Sequence, residues 1–162
     1  MEFSHDDHFL LTVSRDRQFS IFTITRTGSG EISYSLLTRQ EGHKRIIWSC
    51  SWNPHGHEFA TGSRDKIVKI WAVEKESSSV KQLMTLPQLT SSVTALSWAG
   101  LPHRRNNGVL AVGMENGQIE LWNLSYNRQD NAPGSAAALL VRVDPFKCHA
   151  STVNQPSGME RK

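Results

Sequence analysis

The sequence predicts an all-β fold, an incomplete β-propeller of about three four-stranded antiparallel blades, and three observations carry that reading. Apolar residues alternate along short runs, as at Ile46, Trp48, Cys50 and Trp52, the period of two that turns one face of a strand toward a core. Polar turns punctuate the runs, as at Asn53-Pro54-His55-Gly56 and Arg64-Asp65-Lys66. The unit also recurs. Ser14-Arg15-Asp16-Arg17 matches Ser63-Arg64-Asp65-Lys66 and Met114-Glu115-Asn116-Gly117, with Phe22, Trp71 or Trp122 six residues after the acid or amide.

Asp16, Asp65 and Asn116 are 49 and 51 residues apart, a little above the roughly 40 to 45 residues of a WD-type blade, with polar insertions accounting for the excess. Residues 1–42 supply a partial WD blade (strands b to d at 8–14, 18–24 and 31–38) and a connecting loop, its first strand mostly missing. Residues 43–88 form the complete blade, with strands at 46–52, 58–63, 67–73 and 80–86. Residues 89–143 form a degenerate blade, with strands at 92–98, 108–113, 118–124 and 137–143 and long loops at 99–107 and 125–135. Residues 144–154 read as the start of a further blade, and residues 155–162 as a disordered tail. Propellers close with about four to eight blades, so the sequence reads as a fragment or shortened product of a longer one. Its terminal blades are expected to present unpaired edges and uncovered apolar faces.

With 162 residues, 38% of them hydrophobic, and a net charge of +3, the composition suits stacked antiparallel sheets and calls for no particular partner. Cys50 and Cys148 are the only cysteines, which predicts reduced thiols in an intracellular protein rather than a disulfide framework. The start has neither the basic residues nor the apolar run of a signal peptide, and no run approaches the roughly 20 apolar residues of a membrane span. A soluble protein is expected.

His43, Thr61, Asp65 and Trp71 occupy the positions at which WD-type blades place a hydrogen-bonded tetrad. The loop entering strand a and the b–c turn share one rim, so His43 can reach Asp65, and Thr61 can accept from the Trp71 indole, which only donates. Thr12, Asp16 and Phe22 make a partial set in the first copy. In the third, Val112 and Asn116 replace the hydroxyl and the acid while Trp122 remains, so that blade is expected to keep the packing, lose the network and be less rigid. A hydroxyl, an imidazole and a carboxylate also spell a nucleophilic triad, but no glycine-rich nucleophile turn or oxyanion hole accompanies them, so no catalytic residue is assigned.

His55 and His57 flank Gly56 without further ligands nearby in sequence, so no metal is assigned. Gly28-Ser29-Gly30 and residues 113–117 lack the ending of a phosphate loop and read as turns. No cofactor is expected. Trp48, Trp52 and Trp98 read as core. Arg15, Arg17, Arg39, Lys44, Arg45, Arg64 and Lys66 fall on the rim shared by the b–c turns, either as a solvated face or as a dock for RNA phosphates or an acidic protein.

Residues 14–22, 43–71 and 111–122, together with VRVDPFKCHASTVN at 141–154, resemble the carboxy-terminal WD repeats of the Elongator complex protein 2 family in its plant form. The resemblance implies a non-catalytic scaffold in the complex that modifies wobble uridines of tRNA, with other Elongator subunits as partners, a cytoplasmic and nuclear location, and a structural role for the tetrad. It implies neither a membrane nor a small-molecule substrate. The alternatives are an RNA- or acidic-partner-binding module on the basic rim, and a hydrolase using His43 and Asp65.

Overall fold

A computed structural model of the chain describes residues 1–74, 78–100, 107–126, 135–144 and 151–154. Among the described residues twelve strands form three antiparallel sheets, each a meander in chain order. The first holds β1 (Glu2–Phe3), β2 (Phe9–Val13), β3 (Gln18–Arg26) and β4 (Ile32–Glu41); the second holds β5 (Ile47–Trp52), β6 (Glu58–Ser63), β7 (Val68–Glu74) and β8 (Ser79–Thr85). The third holds β9 (Val93–Gly100), β10 (Asn107–Met114), β11 (Ile119–Ser125) and β12 (Ala136–Val143). Strand a of the first blade, expected to be mostly missing, is present as the short β1, in register with Leu10 and Leu11 of β2.

Each b–c turn closes in the same way. Asp16, Asp65 and Asn116 each accept, through a side-chain oxygen, the backbone N–H two residues on, at 3.0, 3.0 and 3.1 Å. An amide serves this as well as a carboxylate does, so the third copy keeps its turn. The next residue in each, Arg17, Lys66 or Gly117, takes a φ of +73°, +67° or +84°. Only glycine adopts that conformation without a steric penalty, and the first two turns tolerate a side chain there.

A second shared device lies between strands c and d. In each blade the register shifts just before the aromatic, at Phe22, Trp71 or Trp122. The residue passed over on strand d is Leu37, Leu83 or Leu140. Leu37 and Leu83 pack against the apolar cluster shared with the following blade, whereas Leu140, with no described blade after it, is 52% exposed.

Neither apolar cluster belongs to one blade. Phe9, Leu11, Phe19 and Ile21 of the first blade meet Ile47, Cys50, Trp52, Phe59 and Trp71 of the second. The opposite face of the second blade, through Ala60, Val68 and Ile70, meets Val93, Leu96, Trp98, Leu110 and Trp122 of the third. Trp52 and Trp98 are buried as expected, but Trp48 is 38% exposed. A bulge between Ile47 and Ser49 shifts the alternation, so Ile47 rather than Ile46 joins Cys50 and Trp52 on the core face.

Small residues set the approach of one blade to the next. Ser49 and Ser51 on β5 accept the backbone N–H groups of Leu96 and Trp98 at 3.0 and 3.1 Å, tying the two innermost strands across the gap between sheets. A Cβ at Gly62 would overlap Val93, and one at the equivalent Gly113 would sit 2.7 Å from Val153. Val153 also donates its N–H to Met114 O, as Ile47 does to Ser14 O. Residues 151–154 therefore stand against the third blade where a following strand a would begin. The expected tail at 155–162 lies outside the described residues.

Gly62→Ala should lower stability by about 1 to 3 kcal/mol in urea unfolding, because the added methyl forces β9 away from β6. Gly28→Ala, in open space, should change it by no more than about 0.5 kcal/mol.

Candidate functional site

The four residues of the second-blade tetrad come together as one directed chain of hydrogen bonds. The Trp71 indole Nε1–H donates to Thr61 Oγ1 at 2.9 Å, and Thr61 Oγ1 lies 2.8 Å from His43 Nε2. Because the indole can only donate, the threonine proton is free to go to His43 Nε2. That leaves Nδ1–H to donate to the Asp65 carboxylate, whose oxygens lie 3.2 and 3.1 Å away. Asp65 further accepts the backbone N–H groups of Lys44 and Ile67 at 3.1 and 3.0 Å.

Burial polarises this chain. The His43 side chain is fully buried, and loss of water holds its imidazole below the ordinary range, only partly offset by Asp65 and reinforced by the Lys69 ammonium. A neutral imidazole is the form the bond directions require. Lys69 also lies 5.6 Å from the Trp71 ring centroid. Outside the tetrad an open cleft of about 640 Å³ is lined by Glu41, Lys44, Lys69, Thr85 and Gln88 together with the rims of His43 and Asp65.

The order hydroxyl, imidazole, carboxylate is that of a nucleophilic triad, but its accessibility is wrong for one. Thr61 is 0% exposed, and its oxygen already accepts from the indole. An electrophile has no path to Thr61 Oγ1, so the arrangement fastens strands instead of attacking a substrate.

The first blade does not assemble the same chain. Thr12 donates to Ser20 O at 3.5 Å, Asp16 is held by Arg39 at 2.9 Å, and Phe22 packs edge-on to Tyr34 at 6.4 Å. The third blade differs from the sequence expectation. Trp122 Nε1–H donates to Glu120 Oε2 at 3.0 Å, and Arg142 Nε donates to Glu120 Oε1 at 2.8 Å. Glu120 is 0% exposed, so this blade has a buried polar link of its own in place of the lost threonine. The signal was local: an acid two residues before the aromatic, on the same strand face.

Several of the basic residues lie in turns and entry loops that are hydrogen-bonded to one another. Arg64 N donates to Ile46 O, Gly42 N to Arg17 O, and Ser63 Oγ to Arg45 O, which stitches the turns and entry loops of the first two blades together. Two of the seven cations are neutralised: Arg17 pairs with Glu41 at 3.6 Å, and Arg39 with Asp16 at 2.9 Å. Among the described residues Arg15, Lys44, Arg45, Arg64 and Lys66 pair with no carboxylate. Cys50 is buried, which pushes its thiol up to about 12 and keeps it protonated and inert. Cys148 lies outside the described residues.

Thr61→Val, nearly isosteric, leaves the Trp71 N–H and His43 Nε2 unpaired in a dry interface and should cost about 2 to 4 kcal/mol in urea unfolding followed by tryptophan fluorescence. The pH dependence has a defined sign. His43 titrates near 6.5 when unfolded and lower when folded, so its contribution is complete above about pH 6.5 and is lost as pH falls below that toward the folded value. Stability should fall as pH drops below about 6.5, and His43→Asn should make that fall shallower.

The WD domain, G-beta repeat family matches residues 34–72, from strand d of the first blade through the tetrad tryptophan of the second. The chain is 54% identical over 155 residues to Elongator complex protein 2 of Arabidopsis thaliana, covering 96% of this chain and 18% of that protein. It is 36% identical to the Mus musculus protein of the same name and 34% to that of Saccharomyces cerevisiae, covering 93% and 79% of this chain and 19% and 16% of theirs. It thus spans about a fifth of the length of these curated relatives. Among solved structures, Saccharomyces cerevisiae Sqt1 superposes with a TM-score of 0.63 at 18% identity, covering 75% of this chain and 32% of that one. Chaetomium thermophilum Sqt1 gives 0.57 at 18%, covering 72% and 28%. At that identity the likeness shows the fold. The chain is a WD-repeat β-propeller segment, similar along nearly all its length to a stretch of Elongator complex protein 2.

Proposed function

We propose that the chain is a non-catalytic scaffold for protein–protein assembly, acting with other Elongator subunits and, through that complex, in modification of tRNA wobble uridines in the cytoplasm and nucleus. The single observation that carries the non-catalytic half is the burial of Thr61 and His43: the triad-like order of hydroxyl, imidazole and carboxylate is sealed between two blades. The partner half rests on the likeness to Elongator complex protein 2 across 96% of the chain. A repeated architecture with rims of exposed turns suits assembly, since binding surfaces reside on loops positioned by a rigid frame.

The second reading is an RNA- or acidic-partner-binding module. The five rim cations without a carboxylate partner favour it, since charges not already neutralised are the ones that gain most from phosphates. A small-molecule substrate and a membrane have no part in either reading.

Affinity purification of the tagged chain, followed by mass spectrometry, separates the two. The scaffold reading expects Elongator subunits to be recovered at moderate salt, and their absence at every salt concentration sinks it. For the rim, the triple charge reversal Lys44→Glu, Arg45→Glu and Arg64→Glu should abolish retention on immobilised tRNA at low salt. Retention that survives the reversal, or ignores salt, removes that reading.

A further inference from the structure

The rim opposite the tetrad carries the a–b turns, and there two neighbouring blades bring histidines and a carboxylate together. The turn between β1 and β2 supplies His5 and Asp6; the turn between β5 and β6 supplies His57. Their ligand atoms all lie within 4.8 Å of one another. Asp6 Oδ2 stands 2.8 Å from His57 Nε2, and the His5 and His57 rings are 5.2 Å apart between centroids.

The pair at the centre is preorganised from both sides. Asp6 Oδ1 accepts from Ser4 Oγ at 2.7 Å and from His8 N at 3.3 Å, which fixes the carboxylate, and Oδ2 faces His57 Nε2 at 2.8 Å with the exposed His8 Nδ1 farther off at 3.5 Å. Partial burial pushes the Asp6 carboxyl up, but the hydrogen bonds from Ser4, His57 and His8 outweigh it and hold the group well below the usual carboxylate range, so the ligand is anionic. Phe9 meets the His57 ring edge-on at 5.3 Å. The His57 side chain is 12% exposed and that of Asp6 24%, whereas His5 lies on the surface and can turn inward without disturbing the fold.

We propose that His5, Asp6 and His57 bind a divalent transition-metal ion of the zinc class, which clamps the first two blades together on the rim opposite the tetrad. Two imidazoles and one carboxylate are the donor set that such ions take, and three protein ligands facing solvent leave a position for water. Calcium and magnesium favour all-oxygen sites, so this set discriminates against them. Zinc-ligand bonds of about 2.0 to 2.2 Å place ligand atoms roughly 3.3 Å apart. The Asp6–His57 contact needs only a small opening, and the main movement is rotation of the exposed His5. The proposal is independent of the scaffold reading, because it concerns only the contact between two turns of this chain.

The test is calorimetric titration of zinc ion into the chelator-treated, untagged full chain, paired with thermal melts. The expected result is one ion per chain and a higher melting temperature with zinc. His5→Ala and His57→Gln should each weaken binding at least tenfold and remove the thermal shift, while His55→Ala, exposed on the same turn, should change neither. If His57→Gln lowers the metal-free melting temperature by losing its contact with Asp6, His5→Ala decides alone, since that side chain is on the surface. Absence of 1:1 binding, binding undiminished by His5→Ala, or binding lost in His55→Ala instead would overturn the proposal.

Discussion

No sheet in this chain buries its own faces; the faces that are dry are dry because a neighbouring sheet lies on them. Both apolar clusters span two blades, and the second blade gives one face to each. A four-stranded sheet alone would leave aromatic residues such as Phe59 and Trp71 in water on one side and Val68 and Ile70 on the other. Stacking removes both from solvent at once, at about 25 cal/mol per Å² of apolar area. Everything local is subordinate to that stacking. Gly62, Ser49 and Ser51 are small where β9 must come close, and the serines return a hydrogen bond for the side chain they forgo.

The tetrad follows from the same constraint. An indole carried into a dry interface gains from an acceptor for its N–H, since leaving it unpaired costs more than the bond nets, a cost that Trp98 Nε1, buried without a partner, does bear. The second blade solves this with Thr61, then His43, then Asp65, so that each donor points outward until the carboxylate at the rim ends the chain. The third blade solves it differently, with Glu120 brought to the indole by its own strand and held by Arg142. The first blade avoids the problem, since Phe22 has no N–H. Three blades share one packing requirement, and the two that carry a tryptophan meet it with two different polar solutions, which makes the network a consequence of the tryptophan, not the site of a reaction.

The two rims consequently do different work. On one, Asp65 is taken up inside the fold by His43 while Asp16 and Glu41 pair with Arg39 and Arg17 at the surface, and the remaining rim cations leave a surplus of positive charge there. On the other, Asp6 draws His57 across from the next blade. Buried polar contacts between blades occur on both, and the third blade adds Tyr126, whose hydroxyl meets Asn53 at 2.7 Å and Glu58 at 3.3 Å. Such contacts fix the angle between sheets more narrowly than apolar packing, which tolerates sliding.

By itself the sequence determined the repeat, its turns and the identity of the tetrad, because these depend on local chemistry: an Asx side chain two residues before a strand, alternation of apolar residues, and a tryptophan at fixed spacing. It misled where one residue of register mattered. Trp48 follows the alternation in the sequence and leaves it in the fold, since a bulge reverses which face the following residues meet, and nothing in the run from 46 to 52 announces one. Leu37, Leu83 and Leu140 mark three equivalent bulges and become recognisable as a series only once strand c is paired with strand d. Glu120 becomes the buried partner of the Trp122 indole only where β12 brings Arg142 against it. His57 seemed isolated in the sequence because its neighbours His5 and Asp6 lie some fifty positions earlier. The tertiary structure alone decided these, for one physical reason: what a side chain meets across a blade interface is set by the distance between sheets, and no stretch of chain encodes that distance alone.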